Sequence, residues 1–227
     1  MALIIEKYIL YGASFNPPHI GHFSAISQML EEYDKVFVFP YPKKYGSKVT
    51  LEEEKLPSIT QRMKMLELFF AEFFPQMHDR LILTDLATPM IKAKLTQGLP
   101  HTYDYLQYAK GKIPDGVDLN VCLGFDATNQ LRNEKFHKEE EIEKSFGVFR
   151  LEEENTIKSE DLRKFFSSHK NLKSAKDELY VRYAVGNALA EHIFKHNLYG
   201  VKKKKIEINN SSIVSAESVP PKKPKIK

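Results

Sequence analysis

Apolar residues along this chain fall into short blocks that switch between two periods. Positions 8–11 (Tyr8, Ile9, Leu10, Tyr11) and 36–39 (Val36, Phe37, Val38, Phe39) are unbroken apolar runs. That is the pattern of strands buried on both faces of a parallel sheet. Positions 21–32 instead place Phe23, Ile26, Met29 and Leu30, with Tyr33 just beyond, on one stripe at helical spacing. Pro40 ends the second run, and a charged loop spans 41–56. Ser58 and Gln61 then stand at capping-box spacing, so a helix opens there with Met63, Leu66, Phe69, Phe70 and Phe73 inward, and stops near Pro75. Strands are further expected at 81–83, 119–123 and 146–149, and helices at 102–109 and 127–132, with a long loop before 102. One long helix over 174–196 carries Leu179, Tyr183, Leu189 and Ile193. It would close one side of the sheet or offer a subunit contact in a homo-oligomer. Strands separated by helices argue for an α/β layer fold with right-handed crossovers.

In such sheets, ligands bind beyond the carboxyl ends of the strands, and the polar residues follow that rule. His19 and His22 come after the first strand, Lys43, Lys44 and Lys48 after the second, Asp85 after the third, Asp126 after the fourth and Arg150 after the fifth. The densest cluster is Gly12-Ala13-Ser14-Phe15-Asn16-Pro17-Pro18-His19-Ile20-Gly21-His22. Strand, tight turn and helix start are what a phosphate site needs. Backbone N–H groups meet the positive end of a helix dipole, and imidazoles three residues apart share one face.

Composition narrows the class. With 227 residues, 42% of them hydrophobic, the chain can bury one substantial core. No segment approaches the length of a membrane span, and the apolar patch at 2–5 is cut short by Glu6 and Lys7. The single cysteine, Cys122, rules out an internal disulfide and a thiolate cluster, and its apolar surroundings suit inert packing. The expectation is a soluble, cytoplasmic protein. The net charge of +4 belongs to the C-terminal end: 201–227 hold eight lysines and two glutamates, which leaves 1–200 at −2. A single domain over 1–200, with a C-terminal helical part at about 159–198, is therefore expected to carry a solvated, partly disordered basic tail over 201–227. No aromatics interleave its lysines, so nucleic acid is not expected as a partner of the body. His169, His192 and His196 lack an orienting carboxylate at fixed spacing, so no protein-held metal is expected.

The run from Gly12 to His22 resembles the signature of the HxGH nucleotidyltransferase superfamily. Its Ser14-Phe15-Asn16-Pro17-Pro18-His19 form looks most like the nicotinate/nicotinamide mononucleotide adenylyltransferase branch. Further stretches agree. The helix segment from Gln61 to Leu66 looks like that family's Arg-x-x-Met-Leu element, and Leu123-Gly124-Phe125-Asp126 like its strand-terminal Gly-x-Asp. Thr102-Tyr103-Asp104-Tyr105-Leu106 is similar to its Thr-aromatic-acid-Thr-Leu element, with Tyr105 in place of the usual threonine. Phe136 falls about where those enzymes place a tryptophan, and the stretch ending at Leu198 and Tyr199 echoes a frequent bacterial C-terminal helix. The last family element, Ile-Ser-Ser-Thr-x-Ile-Arg, has two imperfect counterparts. One is Ile157-Lys158-Ser159-Glu160-Asp161-Leu162-Arg163; the other lies at 208–215 and has no arginine.

The resemblance implies a Rossmann-like parallel sheet with helices on both faces. It also implies transfer of an adenylyl group from ATP to nicotinate or nicotinamide mononucleotide, with Mg²⁺ carried mainly by the ATP phosphates. On that basis His19, His22 and a lysine of the 43–48 loop (Lys44 or Lys48) are the catalytic candidates. Gly12, Ala13, Ser14, Phe15, His19, His22, Gly124, Asp126 and Arg163 would contact ATP. Asn16, Lys44, Thr102, Tyr103, Phe136 and Arg150 would contact the mononucleotide. Blander readings stand beside these. Gly124 to Asp126 also suits a strand end with a helix cap, Ser159 a helix cap, Tyr103 and Phe136 core packing, and Arg62 a pair with a carboxylate on its own helix face. Two other functions remain open: a related transferase using another phosphorylated acceptor, and a nucleotide-binding protein without turnover.

Overall fold

Each apolar run becomes a strand. A computed structural model describes residues 5–42, 57–93, 100–124, 137–151, 157–169, 171–172 and 175–203. Strands β1 (Lys7–Ala13), β2 (Lys35–Pro40), β3 (Leu81–Leu83), β4 (Asp118–Leu123) and β5 (Gly147–Arg150) form one sheet in the order β3-β2-β1-β4-β5, all parallel. The connections carry α1 (Ile20–Glu32), α2 (Ile59–Phe73), α3 (Ala87–Lys92), α4 (Thr102–Lys110) and α5 (Glu139–Ser145). The chain winds outward in opposite directions on either side of β1. The carboxyl ends of β1 and β4 therefore flank a topological switch point, where open α/β sheets leave a crevice.

Side chains alternate across the sheet, and both faces are covered, as its unbroken apolar runs require. Tyr8 and Leu10 of β1 join Leu119, Val121, Tyr105, Leu106 and Ile142 in one core. Ile9 and Tyr11 face the other, with Ile26, Met29, Met65, Leu66, Phe69 and Phe166. Cys122 is buried in the second core, where burial pushes its thiol up and suits it to inert packing. The box at Ser58 forms as its spacing predicts: Ser58 Oγ accepts from Gln61 N–H (3.2 Å), and Gln61 Oε1 accepts from Ser58 N–H (2.8 Å).

Beyond β5 the chain forms α6 (Ser159–Ser168), β6 (Asn171–Leu172), α7 (Ala175–Val185), α8 (Asn187–Lys195), a 3₁₀ turn at Leu198–Gly200, and β7 (Lys202–Lys203), which pairs parallel with β6. Val201 is fully buried. The single helix expected over 174–196 is thus two helices. Gly186 breaks it at φ 88°, a left-handed conformation that glycine adopts without steric penalty. The break is held from outside the segment, because the Glu72 carboxylate of α2 accepts from the N–H groups of Asn187 and Ala188 (2.8 Å each). An acceptor at a helix N-terminus satisfies the donors that the helix itself cannot. Along α7, Val181 and Ala184 are buried while Leu179 and Tyr183 are exposed. The stretch read as a long loop before 102 contains α3, with Pro89 tolerated in its first turn. The helix expected at 127–132 lies outside the described residues. No helix among the described residues is long and apolar enough to cross a membrane.

A Cβ at position 186 would lie 2.8 Å from Glu72 Oε2 and from the Phe73 ring. Gly186→Ala combines that clash with a positive φ, and is expected to destabilise the protein by about 1–3 kcal/mol. Equilibrium urea unfolding measures this; an unchanged midpoint would contradict the assigned break.

Candidate active site

The loop between β1 and α1 cannot satisfy its own backbone. Pro17 and Pro18 have no N–H, and the Asn16–Pro17 peptide is cis. Its carbonyl oxygens are instead met by side chains from distant segments. Arg62 Nη1 donates to Ser14 O and to Tyr41 O (2.7 Å each), tying this loop to the exit of β2. Arg163 Nη1 donates to Asn16 O (2.8 Å), and Ser159 Oγ to Pro17 O (2.9 Å). The Tyr199 hydroxyl donates to Asn16 Oδ1 (2.6 Å). Phe15 sits at φ 44°, rare for an aromatic residue, with its ring fully buried edge-on to Tyr11 and 4.7 Å from the His22 ring.

The two histidines close the loop onto α1. His19 is the N-cap: its Nδ1 accepts from Gly21 N–H, and His22 Nδ1 accepts from His19 N–H (3.1 Å each). This is a capping box built from imidazoles. An Nδ1 that accepts leaves the neutral ring's proton on Nε2. Both rings therefore offer an Nε2–H donor at the positive end of a 13-residue helix. The ring centroids are 3.9 Å apart. Both residues are buried, at 6% and 7% exposure. Burial lowers His19 to about 4, and burial with the neighbouring His19 charge pushes His22 well below the usual imidazole range. The site is thus charge-neutral at its histidines near pH 7.

One fixed charge nearby is Arg62. The Arg62 residue is 3% exposed, and its guanidinium bonds main-chain carbonyls, not a carboxylate on its helix face, so the blander reading of Arg62 does not hold. The reason is its position: Arg62 shares the buried face of α2 with Met65, Leu66 and Phe69. Its Nε has no partner among the described residues. Ser159 does not cap α6; Lys158 is the N-cap, and the serine hydroxyl turns to Pro17.

The remaining candidates sort by place. Gly12 is required by packing, since a Cβ there would lie 2.6 Å from the Phe39 and Tyr41 rings, whereas a Cβ on Gly124 would have no neighbour within 4 Å among the described residues. Thr102 Oγ1 lies 3.4 Å from the Tyr41 hydroxyl, which draws the start of α4 toward the site. Lys138 places its ammonium 4.2 Å from the centre of the Tyr103 ring. Arg150 is the last residue of β5 and bonds Glu143. Asp85 accepts from Thr88 N–H at the start of α3. Lys43, Lys44, Lys48, Asp126 and Phe136 lie outside the described residues, as does 208–215.

Sequence reasoning missed Tyr41, Tyr199 and the inward role of Arg62. An arginine in register with Met65 and Leu66 was the available signal for the last of these.

Tyr105 stands where the resembled family has threonine. Its ring packs against Phe39 and Tyr41, and its hydroxyl is buried without a partner among the described residues. Tyr105→Phe removes that orphan at nearly constant volume, so stability should be unchanged or raised by roughly 1 kcal/mol; a loss above that in urea unfolding would reveal a hidden partner. The histidines predict an acid-labile fold. The unfolded chain binds a proton at His19 near pH 6.5, whereas the folded protein does so only at about 4. Stability therefore rises with pH across that window and is lost as pH falls through it. Asparagine also caps helices well, so His19→Asn should flatten the fall between pH 7 and 5 by about 2 kcal/mol. Parallel unfolding curves for the two proteins at both pH values would contradict this.

The cytidylyltransferase-like family model matches residues 10–170. Comparison with curated protein sequences gives no match. Among solved structures, the chain superposes on a Vibrio parahaemolyticus protein assigned as a nicotinate-nucleotide adenylyltransferase at TM-score 0.59 and 22% identity, covering 83% of this chain and 99% of that one. It superposes on Plasmodium falciparum nicotinic acid mononucleotide adenylyltransferase complexed with NaAD at TM-score 0.60 and 16% identity, covering 86% and 97%. A bifunctional NMN adenylyltransferase/ADP-ribose pyrophosphatase from Francisella tularensis, complexed with AMP and a Mn ion, matches at TM-score 0.57 and 12% identity over 86% of this chain and 51% of that one. These likenesses establish the Rossmann-like nucleotidyltransferase fold. With the family model spanning most of the sheet and the loop that bears both histidines, the chain belongs to the cytidylyltransferase-like family.

Proposed function

We propose that the protein transfers an adenylyl group from ATP to nicotinate or nicotinamide mononucleotide, giving deamido-NAD or NAD and pyrophosphate. The observation that carries this reading is the paired imidazole cap. Two buried rings have their Nδ1 atoms occupied by backbone N–H groups, so both present Nε2–H at a helix N-terminus beside the switch point. The neighbouring solved structures with this activity, one of them holding its dinucleotide product, support the choice of reaction.

The chemistry suits such a site. The acceptor's 5′-phosphate oxygen forms a bond to the α-phosphorus, and the bond to the α–β bridging oxygen breaks, releasing pyrophosphate. The attacking oxygen is already anionic, so no protein nucleophile is needed. The protein must hold two polyanions in line and neutralise the charge that gathers on the transferring group. His19 and His22 donate to the α- and β-phosphates, with His22 the stronger transition-state contact. Anion binding opposes the burial that keeps them neutral, so the rings gain basicity as ATP enters. Gly12 to Phe15, Gly124 and Asp126 serve ATP in this reading, joined by Arg163, which bonds the loop at Asn16 O. Asn16, Thr102, Tyr103 and Phe136 serve the mononucleotide, and a lysine of the 43–48 loop shields the reacting phosphates. Arg150 is the weakest member, given its bond to Glu143. No group of three or more His, Cys, Asp or Glu among the described residues forms a metal cage. A divalent ion, Mg²⁺, carried by the ATP phosphates would supply charge neutralisation there.

The test is pyrophosphate release with ATP and Mg²⁺ against nicotinate and nicotinamide mononucleotide in parallel, with identification of the product. Dinucleotide is expected with at least one acceptor, and His22→Ala should lower kcat about 10²–10³-fold while remaining folded. Release only with a different phosphorylated acceptor would replace this substrate assignment. ATP binding without any turnover would overturn the enzymatic reading.

A further inference from the structure

Three separate C-terminal groups reach the Asn16–Pro17 stretch, but only one touches a side chain there. The Tyr199 hydroxyl bonds Asn16 Oδ1 across 183 residues of sequence. Its surroundings dictate the direction of that bond. Burial pushes the phenol well up, so it is an O–H at any working pH. Its charged neighbours are Arg163 and Arg62, and guanidinium groups only donate. Met65 Sδ, at 3.8 Å, is a poor acceptor. The hydroxyl proton therefore belongs to Asn16 Oδ1. With its oxygen engaged, the Asn16 amide offers a ligand its nitrogen, which is purely a donor.

The backbone that delivers Tyr199 is unusual. Asn197, Tyr199 and Gly200 have φ of 51°, 60° and 73°. Bulky residues rarely occupy that region, and they stay there when the surroundings over-determine them. Here the ring stacks on Phe166 with centroids 5.2 Å apart and planes 20° from parallel. The Asn16 amide itself is buried at 6% exposure. A turn in left-handed geometry, a stacked ring and a short hydrogen bond all converge on one amide in the loop that leads to His19.

We propose that Tyr199 is a positioning residue: its hydroxyl fixes the Asn16 amide so that the NH₂ end faces the phosphate of the acceptor mononucleotide. The inference rests on the adenylyltransferase reading and extends it to the fold's last turn. A phosphate dianion accepts hydrogen bonds and offers none, so it binds the nitrogen end of an amide. The reversed amide would set a carbonyl oxygen against it.

Tyr199→Phe keeps the stacked ring and removes only the donor. Calorimetric titration of nicotinate mononucleotide and of nicotinamide mononucleotide into the wild-type and variant proteins reads the effect directly. Affinity for the bound mononucleotide should fall roughly 5- to 50-fold, with KM for it rising in parallel and KM for ATP within about twofold. In an Asn16→Ala background the same substitution should add almost nothing, because Tyr199 acts through Asn16. Unchanged mononucleotide affinity, an equal loss for ATP, or additive effects in the double variant would each overturn the proposal. Wild-type protein that binds mononucleotide but forms no dinucleotide would sink the adenylyltransferase reading, and the binding comparison would still decide the role of Tyr199. Wild-type protein that binds neither mononucleotide would overturn both.

Discussion

The site depends on how the carbonyl oxygens of residues 14–17 find donors. A segment with two consecutive prolines has too few N–H groups to close its own turns, and buried carbonyls left unpaired are costly. The fold meets this need from behind, with Arg62 on α2 and with Ser159 and Arg163 on α6, while Tyr199 from the last turn holds the Asn16 side chain. A planar trans peptide points its C=O and N–H in opposite directions. Drawing the Ser14 carbonyl onto Arg62 therefore turns the Phe15 N–H away from that guanidinium. Inward satisfaction of carbonyls and outward presentation of donors are two sides of one arrangement.

The same loop explains the electrostatics. Protonated imidazoles would be poor occupants of a buried cap, and desolvation favours the neutral form of both. Their capping bonds fix the tautomer at the same time, so donors are oriented before any substrate arrives. Such preorganisation is what makes hydrogen bonds effective toward charge that develops during reaction. Arg62 supplies a permanent positive charge beneath the loop, with two main-chain carbonyls as its partners. A buried cation held by neutral dipoles retains more of its field than one paired with a carboxylate. It therefore biases the crevice toward anions while the histidines remain uncharged.

Much of this was legible because it is local. Short apolar runs, unbroken in β1 and β2, marked the five parallel strands, and the Ser58 and Gln61 spacing marked the start of α2. The strand-turn-helix run gave the histidine pair. What escaped was set by contacts between distant segments. The break at Gly186 depends on Glu72, more than a hundred residues earlier, and helical periodicity reads straight through it. Arg62 reads as a surface charge unless its register with Met65 and Leu66 is weighed against its chemistry. The left-handed turn at Tyr199 has no compositional mark beyond Asn197 and Gly200 near it, both of which tolerate that region. Loop donors that arrive from α6 and from the final turn are invisible to any window of sequence.

The tie between α6 and the loop also bears on the imperfect counterpart of the last family element. In sequence, the acids of 157–163 argue against a phosphate-facing role. In the structure, Glu160 pairs with Lys164 at 2.8 Å, so that carboxylate is answered within its own helix. Arg163 meanwhile uses one guanidinium branch on Asn16 O. A fork of five N–H donors can hold a carbonyl with one branch and face a phosphate with another. Securing the loop and gripping ATP are therefore not competing roles for Arg163. Ser159 differs, because its single hydroxyl proton is committed to Pro17 O and only its lone pairs remain, which an anion cannot use. Of the serine and the arginine that this stretch keeps from the family element, the arginine is the one whose chemistry allows both roles.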